Sequence, residues 1–355
     1  LFSYIGYEDF TIELVFPYTN GLLKVELEEH AEELEDIFVN ATRSSRTIDN
    51  EPTRAEVIAG EEIDEKISMD PSNISMMLNE STGIQVQQTS ASSANNTFRI
   101  QGLDGRYTQL LKDGYPLYGG FSGSLSLVQI PPLDLKQIEI IKGSSSTLYG
   151  GGAIAGLINL SSKMPQDERE LSFLVNATSA MGLDLSGFYS QKFENYGVTV
   201  LASRNTQTAY DNNDDNFSDI PQIERYTINP KFLFYFDESK TLEIGGSFTT
   251  EKRLGGNLDV IDNRMNPDNY YFEENLSNRY SLQMGYSYRG EDDYFTFKNS
   301  LGFFERELYL PNYLFSGEQI SSFSEAVYKL SANTGDWLLG LNLITERFND
   351  RSNVD

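Results

Sequence analysis

The run "RYSLQMGYSYR", residues 279–289, alternates without a break. Tyr280, Leu282, Met284, Tyr286 and Tyr288 fall on one side of an extended chain, and Arg279, Ser281, Gln283, Ser287 and Arg289 on the other. Successive side chains of a strand point to opposite faces, so a sustained period of two marks one long strand with an apolar and a polar face. "RYTINPKFLFYF", residues 225–236, does the same: Tyr226, Ile228, Phe232, Phe234 and Phe236 oppose Arg225, Thr227, Asn229 and Lys231.

Working outward from these two runs, about nine strands fit after residue 169, near 170–179, 183–193, 196–204, 225–236, 241–252, 278–289, 294–305, 322–332 and 337–347. Most exceed the about 5 to 6 residues of a globular strand. They reach the about 9 to 11 residues that cross a bilayer when tilted. Short links at Glu194-Asn195, 237–240, 290–293 and 333–336 alternate with long ones near 205–224, 253–277 and 306–321. Tight turns on one side and extended loops on the other are the asymmetry of an outer-membrane barrel, which a soluble sandwich has no reason to keep. Bacterial single-chain barrels close with even strand numbers. The expectation is therefore an incomplete barrel, cut at residue 355, with an open edge after Ile344 that needs further strands.

Composition removes several function classes. The 355 residues carry a net charge of −26, from 27 Lys and Arg against 53 Asp and Glu, so nothing offers a basic track for nucleic acid. There is no cysteine, and the single histidine, His30, lies in the glutamate-rich "ELEEHAEELED". Disulfides, thiolate metal sites, histidine triads and zinc hydrolysis lack their parts, and no enzyme is expected. No run of about 18 apolar residues suggests a transmembrane helix. Aromatics are abundant, 21 Tyr and 22 Phe against one Trp, which suits a membrane-facing sheet. The start at Leu1 fits removal of an export signal.

Ahead of the strands the chain divides further. Residues 1–30 read as the end of a small β domain, with "FTIELVF" and "LLKVEL" flanking a turn-like "YTNG". Residues 31–54 are polar and lack helical periodicity, a linker by composition. Residues 55–168 form a compact α+β unit, a strand and short helices followed by short strands joined by glycine turns. Residues 169–355 are the barrel part.

The α+β unit holds "QIEIIKGSSSTLYGGGAIAGLINLSSK", residues 137–163, rich enough in glycine to raise the question of a phosphate loop. The order Lys142-Gly143-Ser144 reverses the Walker arrangement, and Gly150, Gly152 and Gly156 miss the dinucleotide spacing. The other reading is a set of tight turns, where glycine permits positive φ and close backbone approach.

"RIQGLDGRYTQLLKDGYPL" (99–117) and "IEIIKGSSSTLYGGGAIAGLINLSSK" (138–163) together resemble the plug domain of TonB-dependent outer-membrane receptors, with Arg99, Gly102, Asp113, Gly114, Glu139, Lys142, Gly143, Tyr149, Gly150 and Gly156 as the motif positions. Gln101 and Lys142 stand where many members have arginine. The resemblance implies a plug inside a barrel of 22 strands in the bacterial outer membrane, with the glycines as packing turns. It also implies that Asp36, Ile37, Phe38, Val39, Asn40, Ala41 and Thr42 form a TonB box, an extended segment that pairs with TonB by strand addition. Residues 1–30 resemble the end of the carboxypeptidase-regulatory-like domain of Bacteroidetes receptors.

The function so implied is active import, energised by TonB and its inner-membrane complex, with outer-membrane lipids around the barrel and, in this group, a surface lipoprotein as a candidate partner. The plug segment looks like that of the siderophore and cobalamin group, and a ferric siderophore is the substrate expected. Cobalamin, haem, peptide and glycan stay open, as do an adhesin or a passive porin, although neither needs a plug or a TonB box. A nucleotide-binding enzyme would require alternating helices and parallel strands after residue 170. No cofactor is required by this reading.

Two features of the outer loops are candidates for binding. In "DNNDDNFSDIP", Asp211, Asn213, Asp215 and Asp219 have the 1, 3, 5, 9 spacing of a calcium loop, with Asn216 in the glycine position and no glutamate at the twelfth. A structural calcium ion and a solvated acidic loop both fit. Tyr270, Tyr271, Phe272, Tyr313 and Phe315 are candidates for a substrate rim, and an ordinary aromatic girdle accounts for such residues as well.

Overall fold

The computed structural model describes residues 54–90, 92–117, 121, 127–143, 150–266, 270–332 and 335–352, with residue 25 and two short strands, β1 (Phe38–Val39) and β2 (Arg46–Thr47), before them. The β domain expected over 1–30 lies outside the described residues.

The plug begins at β3 (Arg54–Ala59) and α1 (Glu61–Met69), whose Ile63 and Ile67 face inward, followed by α2 (Ser75–Asn79). Next come β4 (Ile84–Gln88), β5 (Asn96–Ile100) and β6 (Leu103–Asp104), a small antiparallel sheet, then β7 (Thr108–Lys112), β8 (Tyr115–Pro116), β9 (Leu135–Lys142) and β10 (Gly156–Ser162). The main plug sheet has the order β3-β9-β10-β7-β8. Among the described residues of this sheet, β10 and β7 run parallel and the other neighbours antiparallel. Ile138, Ile140, Ile158 and Leu160 are fully buried between this sheet and Ile63, Ile67, Ile74 and Leu78 of the helical segment. Side chains of this size each contribute about 1.5–3 kcal/mol on burial, which makes this the apolar core of the described chain.

Nine strands follow in one antiparallel meander: β11 (Glu170–Ala177), β12 (Leu183–Lys192), β13 (Tyr196–Gln207), β14 (Gln222–Asp237), β15 (Lys240–Gly256), β16 (Phe272–Arg289), β17 (Asp293–Leu310), β18 (Tyr313–Ala332) and β19 (Gly335–Asp350). A short helix, α3 (Leu258–Ile261), interrupts the loop between β15 and β16. The antiparallel succession has none of the parallel strands that a nucleotide-binding enzyme needs.

The alternation sets the two faces as expected, but burial is inverted relative to a soluble protein. Along β14, Arg225, Thr227 and Lys231 are buried against the plug while Tyr226, Ile228, Phe232, Phe234 and Phe236 are exposed. Exposure of Phe236 at 63% beside burial of Arg225, which is only 2% exposed, makes sense only where the outer solvent is lipid. The cost of a charge on that face depends on depth. Ile228→Arg, near the middle of β14, is expected to cost the protein about 2 kcal/mol in a bilayer, and Phe236→Arg, at its end, less than about 1 kcal/mol. Denaturant unfolding of the two variants in lipid vesicles measures the difference, and equal costs contradict this placement of the bilayer.

One expected loop is absent. Loop-like composition predicts a long outer connection over 306–321, but β17 and β18 pair continuously from Asp293↔Leu330 to Leu310↔Tyr313. The connection is Pro311-Asn312 alone, with Asn312 at φ 61°. Asparagine tolerates that left-handed conformation and proline ends the strand before it. The strict alternation of short and long links therefore fails at the third of the links expected to be long. The other two long connections stand, shorter than their composition suggests, at 208–221 and 257–271.

Candidate functional site: the plug against the sheet

The candidate site is the seam where plug side chains meet the inner, polar face of β12–β18. Two anchors hold it. The first is a turn in the plug motif. Asp113 (φ 53°) and Gly114 (φ 78°) form the two-residue link between β7 and β8, in which both residues take positive φ as a type I′ hairpin demands. The Asp113 carboxylate accepts from the Ser162 amide at 2.8 Å and hydroxyl at 2.9 Å, and from Lys231 Nζ of β14 at 2.5 Å. Lys298 Nζ of β17 donates to the Asp113 carbonyl at 2.7 Å, and Asn159 Oδ1 accepts from the Gly114 amide. Burial alone would raise the Asp113 carboxyl, but the ammonium groups of Lys231 and Lys112 outweigh it and hold it well below the usual carboxylate range. Tyr115 packs into the notch left by Gly285, and burial raises its phenol.

The second anchor is a buried charge network on the wall. Arg225 donates to the carbonyls of Ser72 (2.6 Å) and Val128, to Asn205 Oδ1 (2.9 Å) and to Glu251 (3.4 Å). Arg253 forks onto both Glu251 oxygens at 2.8 and 3.0 Å and reaches the Ser93 carbonyl at 2.9 Å. Gln129 of the plug donates to Glu251 at 2.8 Å and accepts from Arg279 at 3.0 Å. Guanidinium forks suit such work because each satisfies several acceptors at once. Arg225 and Arg279 were legible only as members of a polar face, and Arg253 fell in the stretch read as the outer link 253–277 but lies within β15.

The remaining motif residues are structural. Gln101 and Gly102, at φ 50° and 82°, make a second type I′ link between β5 and β6. Arg99 lies on β5 opposite Gln85 and Asp104. Glu139 is fully buried and accepts from Gln137 and Ser161 at 2.8 and 2.9 Å. Lys142 pairs with Glu56 and donates to the Thr82 carbonyl. Gly143 has φ 100° and bonds the Ala155 carbonyl, Gly150 opens a single 3-10 turn, and Gly156 starts β10. A Cβ on Gly156 would strike the Ile141 carbonyl, so the glycine serves close strand approach and not a phosphate cradle. Tyr149 lies outside the described residues.

The candidate rim residues belong to separate clusters. Tyr270 and Tyr271 are in the loop before β16, where Tyr271 stacks on Phe217 at 6.0 Å, and Phe272 begins the strand. Tyr313 and Phe315 lie on β18 instead of in a loop. Phe315 joins Phe304 and Phe348 around Phe121, the ring centroids being 5.0–5.5 Å from Phe121. In the acidic loop the Asp211 carboxylate accepts the amides of Asn213, Asp214 and Asn216, and Asp219 accepts that of Asn212. Those backbone bonds lower the Asp211 carboxyl. Asp211, Asn213, Asp215 and Asp219 lie together in one turn bonded to itself. Of the TonB-box segment, only Phe38 and Val39 are described, paired antiparallel with Thr47 and Arg46, and the rest lies outside the described residues.

A folded domain locked onto the polar face of a lipid-facing sheet is the arrangement of a plugged outer-membrane barrel. Residues 47–157 match the model of the TonB-dependent Receptor Plug Domain, and that part of the chain is a plug domain of this kind. It is 34% identical over 154 residues to the ferrioxamine receptor of Yersinia enterocolitica, a match covering 42% of this chain and 18% of that protein. To the ferrichrome outer membrane transporter/phage receptor of Escherichia coli (strain K12) it is 26% identical over 291 residues, 75% of this chain and 36% of that protein. The fold is similar to the ferric enterobactin receptor of Pseudomonas aeruginosa, with a TM-score of 0.70 at 14% identity, covering 89% of this chain and 51% of that one. The chain thus spans well under two thirds of the length of each of these proteins.

Proposed function

We propose that the complete protein is an active importer of the bacterial outer membrane that takes up a ferric siderophore. The observation that carries this reading is the plug itself. It is docked on the polar face of the sheet by ion pairs and backbone hydrogen bonds, contacts that hold firmly and can be exchanged for water when force is applied. A passive porin has no use for such a seal. Support for the substrate comes from the relatives, named as receptors for ferrioxamine and ferrichrome. No bond is made or broken in this function. The energy is drawn through TonB, which adds a strand to residues 36–42. Extended pairing of Phe38 and Val39 supports a segment able to do so.

Uptake of a radioiron siderophore by cells carrying the complete receptor tests this. Import is expected to stop when the inner-membrane proton gradient is collapsed. It is also expected to stop in Val39→Pro, which removes a backbone donor from the added strand while leaving binding to the cell surface unchanged. Uptake that persists without the gradient would sink the active mechanism. A Val39→Pro receptor that imports normally would move the TonB contact elsewhere.

A further inference from the structure

The lipid-facing side of the sheet carries a trough of about 700 Å³, lined by strands β11–β16 alone. Its floor is one rung of cross-strand neighbours, Phe173, Gly187, Ala202, Ile228, Phe248 and Tyr280, running from β11 to β16. Gly187 and Ala202 make the dip, and the larger residues on either side make its walls. The Phe173 ring leans over it, since a Cβ on Gly187 would lie 3.4 Å from two of the ring carbons. In the rung beneath, Leu171, Tyr189 and Val200 restore the bulk and close the trough toward the short turns.

At the other end the next rung holds Leu185, Arg204, Tyr226, Thr250, Asn278 and Glu305, and here the outer face turns from apolar to polar. The rung beyond adds Glu224 and Lys252. On a lipid-facing sheet that change marks the level of the headgroups. Arg204 therefore stands at the headgroup end of an apolar trough.

The surroundings of Arg204 leave it able to take a ligand. Its Nε donates to the Tyr226 hydroxyl at 3.2 Å, and the guanidinium carbon lies 5.7 Å from the centre of the Tyr226 ring. Glu224 comes no closer to Nη2 than 3.9 Å, and its carboxylate accepts from the Tyr226 hydroxyl at 2.8 Å. A guanidinium has five N–H donors, and Tyr226 engages one of them. Lys252, the cross-strand neighbour of Glu224, brings a second cation to this level and pairs with Glu274 at 2.6 Å.

An apolar hollow offers water no partners, so in a bilayer it fills with hydrocarbon. A chain lying in it exchanges freedom for close contact with the aromatic walls. The arginine adds a preference for phosphate oxygens, which a guanidinium holds through two parallel hydrogen bonds, stronger than the long approach of Glu224.

We propose that this trough is a binding site for one phosphate-bearing membrane lipid, with an acyl chain over Gly187 and Ala202 and the phosphate on Arg204. The lipid is held in one place and stays with the protein when detergent dissolves the bilayer. The site lies outside the lumen, so it is independent of what the barrel imports.

The test is native mass spectrometry of the complete protein in detergent, offered dioleoyl phosphatidylglycerol or dioleoylglycerol, which has the same chains and no phosphate. Wild type is expected to retain one phosphatidylglycerol about fivefold better than dioleoylglycerol, the worth of one cation at a membrane surface. Ala202→Phe, which fills the dip with a side chain like those around it, is expected to cut retention of both lipids at least about fivefold. Arg204→Gln is expected to lower phosphatidylglycerol to the level of dioleoylglycerol, and Glu224→Gln, which removes a competing carboxylate, to raise it. These two variants leave the trough intact and act in opposite directions, so a loss of folding does not imitate them. Unchanged retention in Ala202→Phe means an adventitious lipid only and overturns the site. Equal retention of the two lipids by wild type, or a fall in Glu224→Gln, overturns the phosphate assignment.

Discussion

Arg225→Ala is expected to lower the unfolding free energy of the receptor by about 3–5 kcal/mol, the usual cost of removing one partner from a buried ionic network. The side chain is only 3% exposed and satisfies acceptors on three separate segments, the Ser72 and Val128 carbonyls of the plug and Asn205 of the neighbouring strand, besides Glu251. Truncation takes this donor from the Ser72 and Val128 carbonyls, whereas Glu251 keeps Arg253 and Gln129 and Asn205 Oδ1 keeps the Ser203 hydroxyl. Arg225→Lys keeps the charge but has one nitrogen where the fork has several, so it is expected to recover less than about half of the loss. Denaturant unfolding of the purified receptor measures both. A cost under about 1 kcal/mol for Arg225→Ala would mean that water enters and replaces the network.

The second large effect is at Asp113. Asp113→Ala leaves Lys231 buried without its carboxylate and the Ser162 amide without its acceptor, with an expected cost of about 3 kcal/mol. Asp113→Asn, which keeps an acceptor and loses the charge, is expected to cost about half as much. The pH dependence follows from the direction of the shift. A carboxyl held lower in the folded protein than in the unfolded chain contributes stability above its ordinary value of about 3.9, and loses that contribution as pH falls toward the lowered value. The stability gap between wild type and Asp113→Asn should therefore stay level from about pH 7 to about pH 5 and narrow below about pH 4. A gap that closes near neutral pH would assign the effect to another group.

The strands were legible because alternation is a local property and survives any error in register. In β14, and in β16 as far as Met284, the burial of each residue fits the face assigned to it. The link between β17 and β18 misleads for a related reason. "SGEQISSFS" has glycine and hydroxyl residues on both sides, which resembles loop composition, yet both faces of a strand are polar wherever it has left the apolar layer. The plug's Asp113-Gly114 was visible as a turn, but its wall partner Lys231 is 118 residues away and carries no local signal. Arg225 was harder still, since two of its acceptors are backbone carbonyls, 97 and 153 residues distant, and a carbonyl has no signature in sequence.

The two-residue turn between β17 and β18 has a mechanical consequence. β18 is 20 residues long, about 66 Å at a rise of about 3.3 Å per residue. Tilted at about 40° it stands about 50 Å tall against an apolar band of about 25 Å. Some 20 Å therefore rises beyond the bilayer as laddered sheet, stiff as a parapet where a long connection would sway. On that side of the mouth, an arriving molecule meets side chains already standing in place, on a surface that does not yield to it.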